Sequence, residues 1–268
     1  MITKMWEDDE IGGRIYLQLC NLFVDQIVSD QKDSFFRHAF SVMHKLTATK
    51  YHLNNYEKIE QKQFQQARRK FKKNPNETRE SFELIFELES FLYQVKSSLD
   101  MLIKLLEPII GAGTVRTKTY SNKGEDLIKG LVQYKKKKGV HIEMVDTLIS
   151  LVRLHKDNWL EDTVTLRDKL NHVEGLKNYK FLPVKLPNGE ISAIKPRFRD
   201  MNTLPFLNLV YLNNMVFHQD FMAFSLAIKI GPSFTLLPED KDRALKTFNH
   251  KSAKFVKWCW GLNRSSES

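Results

Sequence analysis

The feature that most constrains this chain is a stripe of large apolar residues between Pro75 and Pro108: Leu84, Leu88, Phe91, Val95, Leu99, Leu102 and Leu106 recur every three or four positions. That is the period of an α-helix with one buried face, and no strand can present it. A helix so apolar on one side belongs at the centre of a core. Its end is expected at Pro108, where the missing N–H and the ring oppose continuation. Breaks are rare elsewhere too: the 268 residues include only 11 Gly and 8 Pro, and long stretches repeat the same period. The expected fold is all-α, one elaborated domain over 1–268, and no repeat of useful length points to a solenoid.

Composition narrows the function classes. With 42% hydrophobic and 28% charged residues the chain can bury a sizeable core, which excludes disorder as its dominant state. Lys plus Arg number 42 against 32 Asp plus Glu, a formal charge of +10, so polyanions such as RNA are the natural partners. Cys20 and Cys259 allow at most one disulfide and no four-cysteine zinc site; a reducing, cytoplasmic setting is expected. The start, "MITKMWEDDE", has acids where a secretory signal needs a basic and then an apolar region. The apolar stretch 204–230 is interrupted by Asn208, Asn213, Asn214, His218, Gln219 and Asp220, so it reads as a buried helix and not a membrane span. No metal or cofactor is expected: there is no H-E-x-x-H, and the loop "GAGTVRTKTYSNKGEDLIKG" lacks the G-x-x-x-x-G-K-[ST] order of a phosphate cradle.

The elements follow from the pattern. Helical regions are expected at about 11–31 and 33–72, the second ending in the basic run "ARRKFKK". A connector leads to a short helix that reaches "QYKKKKG", and a long helix covers 141–172. Alternating residues on either side of Asn188-Gly189 predict one β-hairpin near 179–195 with a type I′ turn. Helices are then expected at 203–229 and 238–260, before a disordered tail "NRSSES". The tetralysine Lys135, Lys136, Lys137 and Lys138 suits nucleic-acid phosphates, although such a run is also ordinary solvated surface.

The long helix carries the most informative residues. On a wheel at 100° per residue, Arg167, Asn171, Asp168 and His172 fall at roughly 0°, 40°, 100° and 140°, an arc facing away from the side that holds Val145, Leu148, Val152, Trp159, Leu166, Leu170 and Val173 and is expected to pack inward. Leu160 and Val164 lie beside that arc, and an exposed apolar strip there would need cover from a second copy. Arg offers a permanent planar cation that matches phosphate, and His moves protons near neutrality. Metal-free RNA cleavage needs both: a base or acid for the 2′-hydroxyl and the leaving oxygen, and a cation for the charge growing on phosphorus. A surface ion-pair network near a helix C-terminus would use the same residue types.

The pattern R-x4-H in "LRDKLNH", with a polar residue directly after Arg167, resembles the signature of the HEPN superfamily of helical RNA-associated domains. The segment "FLYQVKSSLDMLIKLL", with Ser97, Ser98 and Asp100, is similar to the earlier core helix of many such proteins. The resemblance covers about 80–230. It implies a helical bundle of HEPN type that dimerises so that two R-x4-H motifs meet across a cleft; the helical extension at 11–73 and the inserted hairpin lie outside the minimal domain, and a C-terminal helix at 238–260 follows it. In active members such a site cleaves RNA without metal, often as a toxin restrained by an antitoxin or in defence against phage. Carried over, Arg167 and His172 are the catalytic pair, with Asp168 in the polar position after the Arg and Asn171 beside them. Many HEPN domains are instead non-catalytic RNA- or protein-binding scaffolds.

Overall fold

Helix is the rule in the computed structural model, which describes residues 29–111, 113, 115, 118–137, 139–171, 179–198, 201–230, 234–238 and 258–262. Helices make up 77% of what is described. They are α1 (Ser29–Lys73), α2 (Phe82–Ile110), α3 (Glu125–Tyr134), α4 (Ile142–His155), α5 (Glu161–Asn171) and α6 (Thr203–Ile230), with a single π turn at Lys156–Leu160 between α4 and α5. The chain divides into two compact units, each assembled from separated segments: Met1–Thr47, Val95–Glu161 and Leu212–Ser268 form one, Ala48–Gln94 and Asp162–Tyr211 the other. Several expectations lie outside the described residues: the helix at 11–31 except for residues 29–31, which open α1 without the expected break near 32, the tail, and all but the ends of the helix at 238–260.

α2 is the helix that the stripe predicts, and all seven stripe residues are 0–1% exposed. Its start is defined by Ser81, whose hydroxyl accepts a hydrogen bond from the Leu84 amide at 3.2 Å, satisfying one of the amides a helix N-terminus leaves free. Its end passes Pro108 and reaches Ile110. A proline so near the terminus removes one hydrogen bond where the ladder is about to end anyway, and Gly111, at φ 99°, closes the helix with its amide on the Glu107 carbonyl at 3.0 Å.

In the first unit, α6 is held to α2 by the Asn214 amide, which donates to the Ser98 hydroxyl at 3.3 Å. Phe217 of α6 meets His155 of α4 at 4.8 Å between ring centres, and Tyr120 edge-on at 6.3 Å. Asp100 fixes the loop after α2 by accepting from the Tyr120 amide at 2.7 Å, while Lys96 pairs with the same oxygen at 2.5 Å.

In the second unit, α1 and α2 run side by side through His52 to Glu87 at 2.7 Å and Gln63 to Glu83 at 2.6 Å. The hairpin is present as β2 (Lys180–Lys185) and β3 (Ile191–Ile194), antiparallel with Leu182 opposite Ile194 and Lys185 opposite Ile191. Its turn differs from the expected type I′. Gly189 alone has positive φ, 83°, its amide reaches the Leu186 carbonyl at 2.9 Å, and Leu186 bonds Glu190 across the loop at 2.8 Å. That is a type I turn followed by a left-handed Gly, and Pro187 explains it, because its fixed φ suits the first central position of a type I turn.

The hairpin is not alone. β1 (Arg79–Glu80) adds a third antiparallel strand with Arg79 opposite Phe181. β4 (Arg197–Phe198) pairs with β5 (Met201–Asn202) in the second unit, and in the first β6 (Phe234–Pro238) pairs with β7 (Trp258–Leu262). Pro238 and Trp258–Trp260, expected at the ends of a helix, are therefore strand residues. The Tyr56 and Tyr179 hydroxyls are hydrogen-bonded to each other inside the second unit, and burial pushes both pKa values up. Lys195 reaches the fully buried Glu60 at 2.6 Å.

Gly124, the left-handed residue that opens α3 at φ 91°, has no room for a side chain, since an added Cβ would run into the Tyr120 ring. Gly139, at φ 80°, faces open space. Gly124→Ala is therefore expected to lose about 1–3 kcal/mol more in urea unfolding than Gly139→Ala, which carries the backbone strain without the clash.

Candidate functional site

The four residues of the expected catalytic group are only partly placed. Arg167 and Asp168 lie in α5, in the second unit. Asn171 ends that helix, but its side chain and the whole of His172 lie outside the described residues. Arg167 Nε stands 3.2 Å from Asp168 Oδ1, with the side chains 25% and 47% exposed. The pair is electrostatic: Nε is buried and no acceptor meets it in hydrogen-bonding geometry.

Arg167 does not face outward as the wheel predicts. Leu160, Thr163 and Val164 are 0%, 2% and 6% exposed, and they lie within about 60° of Arg167 on the helix surface. In α4 the buried residues are Val145, Leu148, Ile149, Leu151, Val152 and His155. Those residues centre roughly 90–100° away from Leu160, Thr163 and Val164, which is one residue's rotation, while Leu166, 2% exposed, stays on the side that the wheel assigns to the core. The π turn supplies the extra residue: the Glu161 amide bonds the Lys156 carbonyl five positions back. A single wheel drawn through 141–172 therefore places Leu166 correctly but misses the burial of Leu160, Thr163 and Val164. The apolar strip that called for a second copy is accordingly covered within the chain, since Leu160 and Val164 are both buried.

The tetralysine belongs to the first unit. Lys135 pairs with Asp146 at 2.5 Å, and Lys137 sits 5.6 Å over the Tyr134 ring, within cation–π range. Lys136 is exposed, and Lys138 lies outside the described residues. Part of this charge is engaged locally before any phosphate arrives. Among the described residues no group of three His, Cys, Asp or Glu could hold a metal ion, and no helix is long and apolar enough to cross a membrane.

Sequence reasoning missed a second polar constellation, in the core of the first unit. Asn213, Asn214, His218 and Gln219 of α6 are at most 2% exposed. The His218 Nδ1–H donates to the Asn214 carbonyl at 2.7 Å, and the Ser98 hydroxyl donates to the Val95 carbonyl at 2.7 Å. Asn213 Nδ2, Asn214 Oδ1, His218 Nε2 and both Gln219 amide atoms have no hydrogen-bond partner. The signal was visible in the polar residues that interrupt 204–230, but they served only to exclude a membrane span. Burial pushes the His218 pKa down to about 4, against smaller upward contributions from the Asn214 and Ser98 backbones.

No protein-family model matches the chain, and no curated protein or solved structure matches it.

A neutral His218 in the folded state has a consequence for stability. The unfolded chain takes up its proton below pH 6.5 while the folded chain resists down to about 4, so stability is full above pH 6.5 and falls as pH drops towards 4. Urea unfolding at pH 7 and pH 5 is expected to show a loss of about 2 kcal/mol that depends on this residue. His218→Gln, whatever its stability at pH 7, is expected to flatten the profile by that amount.

Proposed function

We propose that the protein is a metal-independent endoribonuclease of HEPN type in which Arg167 and His172 act on one phosphodiester. The observation that carries the proposal is the placement of Arg167: a cation held beside Asp168 with its Nε buried, one helical turn before the segment that carries His172. A partly desolvated guanidinium stabilises growing phosphate charge more strongly than an exposed one, because less water screens it. Asp168 offers the guanidinium a neighbouring negative charge, and His172 takes the 2′-hydroxyl proton or delivers one to the departing 5′-oxygen. The 2′-oxygen attacks phosphorus as the 5′-oxygen leaves, so the products are a 2′,3′-cyclic phosphate and a 5′-hydroxyl. The surplus of ten positive charges supports RNA as the substrate class. The proposal extends to a cytoplasmic role in stress response or defence, with a second copy completing the site and an antitoxin-like partner restraining it.

One observation favours a different reading. Asp168 already supplies Arg167 with an anion, and a cation so paired suits a non-catalytic scaffold that binds RNA or protein.

The experiment incubates wild type, His172→Ala and Arg167→Lys with labelled single-stranded RNA and tRNA in EDTA. Cleavage by wild type to cyclic-phosphate ends is expected, with the matching DNA untouched. His172→Ala is expected to lose a factor of about 10²–10⁴ in rate with RNA binding retained. Arg167→Lys is expected to be impaired as well, since an ammonium does not reproduce the fork. No cleavage by wild type, or equal cleavage by all three, removes the nuclease and leaves the scaffold.

A further inference from the structure

α2 has two apolar faces. Leu84, Leu88, Phe91, Leu92 and Val95 are buried, as expected, yet on the opposite side Phe82, Phe86 and Tyr93 are 64%, 61% and 60% exposed. From Phe82 at 0°, Phe86 falls at roughly 40° and Tyr93 at roughly 20°, so the rings form one line about 16 Å long. Helices of globular proteins place such residues inward, and three large rings in a row on the outside mark a contact surface. All three rings lie within the second unit.

What the surface fits is decided by charge and size. Glu89 is exposed at roughly −20° on the same wheel, between Phe86 and Tyr93 in sequence, and Glu80 and Glu83 are exposed at the other end of the line. Glu83 accepts a hydrogen bond from Gln63 and remains a carboxylate acceptor, while no ion pair engages Glu89 among the described residues. An acidic aromatic line on a chain of net +10 is a local reversal of sign. Rings and carboxylates together recognise guanidinium and ammonium groups, the ring by its negative face and the carboxylate by its charge. The exposed ring area, roughly 350 Å², is less than half of the roughly 800 Å² per partner that a stable protein–protein interface buries. It matches a short segment better than a second globular copy.

We infer that the Phe82–Phe86–Glu89–Tyr93 face of α2 is a docking site for a short basic amphipathic segment of another protein, its arginines or lysines set between the rings and the carboxylates. This inference does not rest on the ribonuclease reading, since it uses none of the residues around Arg167. The general charge of the chain repels polycations, so attraction of one has to come from a local acidic surface such as this.

The test is fluorescence anisotropy with the full chain and a labelled twelve-residue amphipathic helical peptide bearing arginines on one face and leucines on the other. Saturable binding at physiological salt is expected, and none of the same peptide with glutamate in place of arginine. Phe86→Ala with Tyr93→Ala, and separately Glu89→Lys, are expected to weaken binding at least about tenfold, while Lys185→Gln, exposed on β2 and outside this helix, leaves it unchanged. All of these positions are exposed, so unchanged circular dichroism and melting temperature confirm that the variants fold. Equal binding by wild type and the stripe variants overturns the inference, as does preference for the glutamate peptide. Sedimentation velocity without peptide that shows self-association abolished by Phe86→Ala with Tyr93→Ala also overturns it, because the occupant is then a second copy.

Discussion

One extra residue in the turn Lys156–Leu160 brings Thr163 and Val164 to the buried side of the following helix, beside Leu166. A continuous α-helix from Ile142 to Asn171 would carry the buried face of α4 onto Leu166 and Leu170 and leave Val164 outside; Leu166 is buried all the same, at 2% exposed, so α5 buries a second line beside it. The π turn rotates the second half by about one residue, so that Leu160, Thr163 and Val164 go in and Arg167 follows them on the same line. The turn has identifiable supports. The Trp159 indole N–H donates to His155 Nδ1 at 2.7 Å, both rings being buried, and Lys156 is tied to Glu125 of α3. Those contacts hold the insertion in place, and the partly desolvated Arg167 that the functional proposal uses is its product.

α6 imposes a second constraint. From Asn213 to Ile228 this helix is buried on every side and cannot send its polar residues to water, so each must be paired or neutral. His218 is both: its Nδ1–H meets the Asn214 carbonyl, and burial keeps the ring uncharged near neutral pH. Asn213 and Gln219 are not fully paired. A core of this kind costs stability relative to an apolar one, and it lies in the first unit, whereas Arg167 belongs to the second.

Much of this architecture was legible in the residues. The stripe in α2 admitted no alternative to a helix, because its period is local and seven large side chains repeat it. The hairpin was legible for the same reason, from alternation about Asn188-Gly189, but its turn was misjudged: the Asn-Gly pair drew the reading, while Pro187, one residue earlier, dictates the geometry. β1 was invisible, since a two-residue strand exists only through its pairing with Phe181 and Lys180, a contact about a hundred residues away in sequence. The π turn left no periodic signature either. It shows as a change of phase between two helical patterns, and a single wheel averages that change away. At the candidate site the residue types were legible, whereas the orientation of Arg167 was not, because it depends on the residue inserted before it.

The re-phasing at Lys156–Leu160 is tested most directly by thiol accessibility in a Cys20→Ser, Cys259→Ser background. Val164→Cys and Asp168→Cys are each treated with a soluble thiol reagent under native conditions. The re-phased helix predicts that Val164→Cys reacts at least about tenfold more slowly than Asp168→Cys, because a buried thiol reacts only when the helix opens locally. Equal rates, or faster reaction at Val164→Cys, would place Val164 on the outside and contradict the account.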